Sequence, residues 1–215
     1  MRYPRAYAGV KKIFIAEILE LIGSVLTSFG AVSAVAGAAG ASAGMSSSAS
    51  SAFTLGGVSL AIPGLIILLV GEVLMLVGLK QAGDDEPQYL KKAFYAAIAM
   101  VVVSVVSSFF SNSGAANYIA VGVSLIQGLV TIFVFIYTIA GFNKLAAELG
   151  GFDGLISFGR KVMYGLTIGL IANLIASVLG RSNAGVIVAG IAAIIMLVIY
   201  IAYLVYLSKA KRMLE

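Results

Sequence analysis

The sequence predicts an all-α integral membrane bundle of six transmembrane helices, built as three two-helix hairpins. Three observations lead there: six long apolar stretches, a scarcity of charge, and a one-sided placement of the charges that exist. Of the 215 residues, 61% are hydrophobic and 11% charged, and the mean hydropathy is +1.08. A soluble domain carries about 25% charged residues. A chain this apolar would expose large sticky patches to water, so lipid is part of its solvent.

The stretches cover residues 13–36, 53–79, 93–110, 117–142, 162–179 and 185–207. Each approaches or exceeds the roughly 18–20 residues a helix needs to cross a hydrocarbon core. Isolated strands would leave backbone groups unsatisfied at that depth, and a barrel would alternate apolar and polar residues. Basic residues precede the first stretch and small residues follow it, as in a signal peptide. Glu17 and Glu20 interrupt the apolar run, however, and the run is long, so a retained helix is expected.

Orientation follows from the cations. Six spans place the N-terminus, the loops around 80–92 and 143–161, and the C-terminus on one side. That side holds Arg2, Arg5, Lys11, Lys12, Lys80, Lys91, Lys92, Lys144, Arg160, Lys161, Lys209, Lys211 and Arg212, against Arg181 alone on the other. Basic loops stay in the cytoplasm, which predicts a multi-pass cell-membrane protein with both termini inside. The net charge of +5 is then a topology signal, and no nucleic-acid partner is expected. Tyr3, Tyr7, Tyr89, Tyr95, Tyr164 and Tyr206 fall near the same side, as an interfacial belt would.

A dibasic pair opens each odd helix: Lys11-Lys12-Ile13-Phe14, Lys91-Lys92-Ala93-Phe94 and Arg160-Lys161-Val162-Met163. The even helices close alike, at Gly78-Leu79-Lys80, Gly141-Phe142-Asn143-Lys144 and Tyr206-Leu207-Ser208-Lys209. This predicts an internal repeat with units near 9–80, 90–145 and 160–212 in a single transmembrane domain. The first unit is longer by a Gly/Ala/Ser stretch, 37–52, expected to be an outer loop. Mitochondrial carriers also have three hairpins, but their Pro-x-acidic-x-x-basic signature is absent from the odd helix ends.

Small residues predict close packing. Gly57, Gly64, Gly71 and Gly78 recur every seven residues, placing them on one seam of the second helix. Ala97, Ser104 and Ser111 form a like stripe on the third, and Gly165 and Gly169 a pair on the fifth. Such seams serve packing within the bundle or a homo-oligomer interface.

Few polar groups remain to carry chemistry. The chain has no Cys and no His, which excludes thiol and imidazole catalysis and the usual zinc, copper and haem ligands. No phosphate-binding loop is present. No catalytic constellation, resident metal or cofactor is expected, and the chain reads as a non-enzyme.

Glu17, Glu20 and Glu72 lie within spans. Glu20 is eight residues from Lys12 and Glu72 eight from Lys80, both roughly 12 Å beyond the basic flank. Buried carboxylates take a proton, find a cation or face water, so these three form a candidate cation or proton site. The alternative is an interfacial Glu17, with Glu20 and Glu72 paired to a lysine or to each other. The equivalent positions of the other repeats, Ala97, Met100, Leu166 and Gly169, carry no charge. Gln127 and Asn173 are expected near mid-membrane, bridging helices or lining a path.

Asp84-Asp85-Glu86-Pro87 reads as an acidic turn with weak cation affinity, lacking the ligand spacing of a calcium loop. Leu145, Leu149, Phe152 and Ile156 suggest a helical segment on the inner leaflet.

The junction Gly78-Leu79-Lys80-Gln81-Ala82-Gly83 before Tyr89-Leu90-Lys91-Lys92, with Ala140-Gly141-Phe142-Asn143-Lys144-Leu145, resembles archaeal multi-span membrane proteins of unknown function. The resemblance implies a prokaryotic source and transfers no activity. Two functions follow from the residues themselves. One is a structural or accessory component that works through helix packing, with a second copy or a membrane complex as partner. The other is a small channel or transporter for protons, cations or a small solute, using the intramembrane carboxylates.

Overall fold

The computed structural model describes residues 2–42, 46–110, 116–179 and 183–215. Ser111 of the third-helix stripe, Arg181 and residues 43–45 of the expected outer loop lie outside them. The described chain is all α: α1 (Pro4–Ser42), α2 (Ser47–Asp85), α3 (Leu90–Phe110), α4 (Ala116–Leu149), α5 (Asp153–Leu179) and α6 (Asn183–Leu214). Among the described residues, five helical segments are long and apolar enough to cross a membrane: Pro4–Ser33, Thr54–Asp85, Leu125–Leu149, Asp153–Ala176 and Gly190–Leu214. The remaining helix, α3, has 21 residues.

The helices outrun the apolar stretches that predict them. Hydropathy marks where lipid could begin, whereas a helix ends where its backbone bonding ends. At 39 residues each, α1 and α2 are roughly 58 Å long, about twice the hydrocarbon thickness. The expected outer loop at 37–52 is mostly helix, since α1 reaches Ser42 and α2 begins at Ser47. That stretch contains no proline and is rich in alanine, the strongest helix former. The expected inner-leaflet segment is likewise no separate helix. Its first part belongs to α4, its last to α5, and Gly150 and Gly151 divide them at φ of 74° and 77°. Both are left-handed values that glycine adopts without strain.

The chain divides into two compact units, Met1–Lys11 with Leu76–Glu215, and Lys12–Met75. In the larger unit, α3 packs on α4, α4 on α5 and α5 on α6. Its fully buried side chains gather at the basic ends of the helices and include Leu79, Leu90, Phe142, Leu145, Tyr203 and Leu207. Farther along the same helices, Ile168, Ile194 and Val198 are exposed, as lipid-facing residues would be.

Tyr206 belongs to this core and not to an interfacial belt. It is fully buried, with its hydroxyl 3.1 Å from the carbonyl oxygen of Ile139 and 3.0 Å from Asn143 Oδ1. Tyr95 and Tyr164 are well exposed at 57% and 62%.

Glu86 organises this end of the unit. Although only 1% exposed, it accepts the N–H groups of Gln88, Tyr89 and Leu90 at 3.1, 2.7 and 2.9 Å. These donors lie at the start of α3, where no helical carbonyl is available to receive them. Lys144 Nζ, on α4, donates to Glu86 Oε1 at 3.0 Å and to Gln88 Oε1 at 2.8 Å. One carboxylate therefore joins the end of α2, the start of α3 and the end of α4.

Beside it, Asp85 accepts the Ala6 N–H at 2.7 Å and so caps the first turn of α1. Tyr3 donates to Glu148 Oε2 at 2.6 Å. That bond raises the Tyr3 phenol above its ordinary pKa, because ionisation would set an anion against the carboxylate. The Arg5–Asp84 pair at 3.4 Å is exposed on both sides and contributes little. The tetrad expected as a weakly cation-binding turn is thus spent on helix ends and neighbouring side chains.

In the smaller unit, α1 and α2 meet along small residues. A Cβ on Gly30 would stand 2.6 Å from the Gly57 carbonyl oxygen, and one on Gly23 would stand 2.9 Å from that of Gly64. On Gly71 it would lie 3.1 Å from the Ala16 carbonyl and 2.9 Å from Glu20 Cγ. The pairs 16–71, 23–64 and 30–57 run in opposite directions at heptad spacing, so the hairpin is antiparallel and the helix backbones touch. In the larger unit a Cβ on Gly9 would come within 2.5 Å of the Gly78 carbonyl.

Gly30→Ala is expected to lower stability by about 1–3 kcal/mol, because its Cβ meets backbone that cannot step aside. Gly56 has open space around it, so Gly56→Ala should be neutral or stabilising by about 0.5–1 kcal/mol. Unfolding of the purified protein in mild detergent distinguishes the two.

Candidate intramembrane carboxylate site

The three carboxylates within the spans all fall in the unit Lys12–Met75. Glu17 and Glu20 stand one turn apart on α1 and share a face. The antiparallel seam brings Gly71 of α2 against Glu20, and Glu72 follows it directly. Glu17 and Glu72 are close enough for their charges to act on Glu20. Glu17 is 2% exposed, while Glu20 and Glu72 are partly buried.

Glu20 Oε1 is buried and, among the described residues, has no hydrogen-bond partner. A buried acceptor without a donor costs about 1–3 kcal/mol. The glycine at 71 explains how the side chain fits, since a Cβ there would collide with it. Among the described residues, no group of three or more acidic side chains is placed to hold a metal ion. Among the described residues, the geometry offers an unpartnered carboxylate oxygen beside two further carboxyl groups and no multidentate cage.

The other polar residues part company. Gln127 Nε2 donates to Ser104 Oγ at 3.0 Å, joining α4 to α3. Asn173 is exposed on α5 and makes no such bridge among the described residues. Thr27, Thr131, Thr138 and Thr167 return their hydroxyl protons to carbonyls one turn back, and Thr131 Oγ1 also lies 3.5 Å from Met100 Sδ on α3.

The small-residue positions are occupied within the chain. Ala97 is fully buried, while Gly165 and Gly169 receive the side chains of Ile199 and Met196 from α6. Gly57, Gly64 and Gly71 face α1, and Gly78 faces Gly9. These glycines serve packing inside the chain.

Two features escaped the sequence reading. Gly9, Ala16, Gly23 and Gly30 form a second heptad on α1, visible in the sequence once alanine counts as small. Glu86 resembled its solvated neighbours, and its position shortly before α3 was the available sign.

No protein-family model, curated protein or solved structure matches this chain.

Replacing Glu20 by methionine removes the unpartnered oxygen while keeping the length of the side chain. Glu20→Met is expected to raise the thermal unfolding midpoint in detergent, and Glu20→Gln, which keeps a polar end, to change it less. A lower midpoint for the methionine variant would mean that the carboxylate holds the hairpin together.

Proposed function

We propose that this chain is a structural or accessory component of the cell membrane, acting through helix packing and assembly. In this reading it has three hairpin repeats, both termini in the cytoplasm, and a second copy or a membrane complex as its partner. The observation that carries the proposal is the backbone contact of α1 and α2 at Gly23–Gly64 and Gly30–Gly57. Helices this close leave no room for a solute between them along that seam. The threonine hydroxyls turned back on their own helices, and the Gln127–Ser104 bond between α4 and α3, also suit a scaffold better than a polar path. The glycine seams are taken up internally, so a partner would meet the exposed apolar faces.

A second reading, a channel or transporter for protons, cations or a small solute, is favoured by Glu20 Oε1, buried and unpartnered with Glu17 and Glu72 in reach. Glu20 would bind and release a proton, and its acidic neighbours would set the ease of release. The absence of a three-ligand acidic cluster among the described residues makes protons the better candidates than multiply coordinated ions.

Flux of protons and monovalent cations into proteoliposomes separates the readings. The structural proposal expects the same background rate for wild type, for Glu20→Gln with Glu72→Gln, and for protein-free vesicles. Flux in wild type that disappears in the double variant would replace it with the transport reading.

A further inference from the structure

The larger unit contains a cleft of about 580 Å³ at its basic end, between the turn before α3, the end of α4 and the start of α5. One part of its wall is polar, with Gln88, Tyr89, Asn143, Lys144, Arg160 and Tyr164. Another is apolar, with Ala140 and Ala147 on α4 and Ile156 and Met163 on α5. Each helix contributes through one face: 140, 143, 144 and 147 on α4, and 156, 160, 163 and 164 on α5.

The two cations differ in what they have left to give. Lys144 donates to Glu86 and to Gln88, so much of its charge is already answered. Arg160 is exposed and has no ion-pair partner among the described residues. Its planar guanidinium can offer two parallel N–H bonds to two oxygens of one phosphate. Asn143 Oδ1 lies against the Tyr206 hydroxyl, which leaves its amide N–H groups as donors. Tyr89 and Tyr164 add phenol hydroxyls, so the polar wall is rich in donors.

We propose that this cleft binds a phosphate group, that of an anionic phospholipid headgroup. Arg160 would grip the phosphate, with Lys144 and Asn143 as further donors. Ile156 and Met163 would lie along the upper acyl chain. A soluble anion has no use for the apolar wall, whereas a lipid brings an anion and a chain together. Basic pockets between membrane helices on the cytoplasmic side are suited to such headgroups. The inference rests on the reading that the basic end meets the headgroup layer, and it is independent of whether the chain conducts.

The test is native mass spectrometry of the full chain in detergent with phosphatidylglycerol or phosphatidylcholine added. Phosphatidylglycerol should be retained preferentially, and Arg160→Gln should weaken its retention about tenfold, the loss of one charge-assisted contact. Lys161→Gln removes the same charge from the neighbouring residue, which does not line the cleft, and should change retention by less than about threefold. Equal losses in both variants would reduce the effect to general surface charge and overturn the proposal. So would equal retention of the two lipids. Displacement of the lipid by an equal concentration of inorganic phosphate would make the cleft a free-anion site and overturn it too. Failure of the membrane reading would show separately, as protein that does not reconstitute into vesicles.

Discussion

Taking a carboxylate out of water costs several kcal/mol unless protein donors replace its hydration. Glu86 meets that condition with three backbone N–H groups and the Lys144 ammonium. The donors are themselves groups that would otherwise be left over. The N–H groups at a helix start have no helical acceptor, and the other carboxylate beside Lys144, Glu148, stands farther off at 3.9 Å. The bond set also fixes geometry, because it joins residues from α2, from α3 and from α4. Lys144, held on Glu86 and Gln88, also lines the cleft beside it.

The other unit is organised by contact rather than charge. Lipid tails are as apolar as leucine, so burying apolar surface does little to bring membrane helices together. Close approach must supply the attraction, and each contact counts only when separation is near its optimum. Glycine and alanine at heptad spacing on α1 and on α2 permit that approach at successive turns. Glu20 is the exception in this seam, a polar side chain beside Gly71 with one oxygen unanswered. A polar group left unpartnered amid close packing is where a packing account and a transport account part.

Much of the architecture was legible because hydropathy is a property of single residues added along the chain. The positions of all six helices follow from it. Their ends do not: α1 begins at Pro4 and α4 continues to Leu149 because backbone bonding persists through polar flanks. The glycine heptad of α2 was readable, and its mate on α1 was hidden by Ala16 standing where another glycine would complete the pattern. Asn173 illustrates a different limit. Its place within an apolar stretch was plain, but which face of α5 it occupies depends on the packing of α4 and α6 against that helix. Tyr206 looked like an interfacial aromatic, yet the carbonyl of Ile139 and the amide of Asn143 draw it into the core. Glu86 was the least legible residue, since its partners are backbone N–H groups that carry no signature in sequence.

The account stands most directly on the coupling between Glu86 and Lys144. A double-mutant cycle of Glu86→Gln, Lys144→Met and the combined variant, followed by unfolding in mixed micelles, isolates it. Non-additivity of the two single variants is expected, reduced by solvent because the Lys144 side chain is 35% exposed. Additivity of the two single variants to within about 0.5 kcal/mol would contradict the claim that this pair holds the basic end of the helices together.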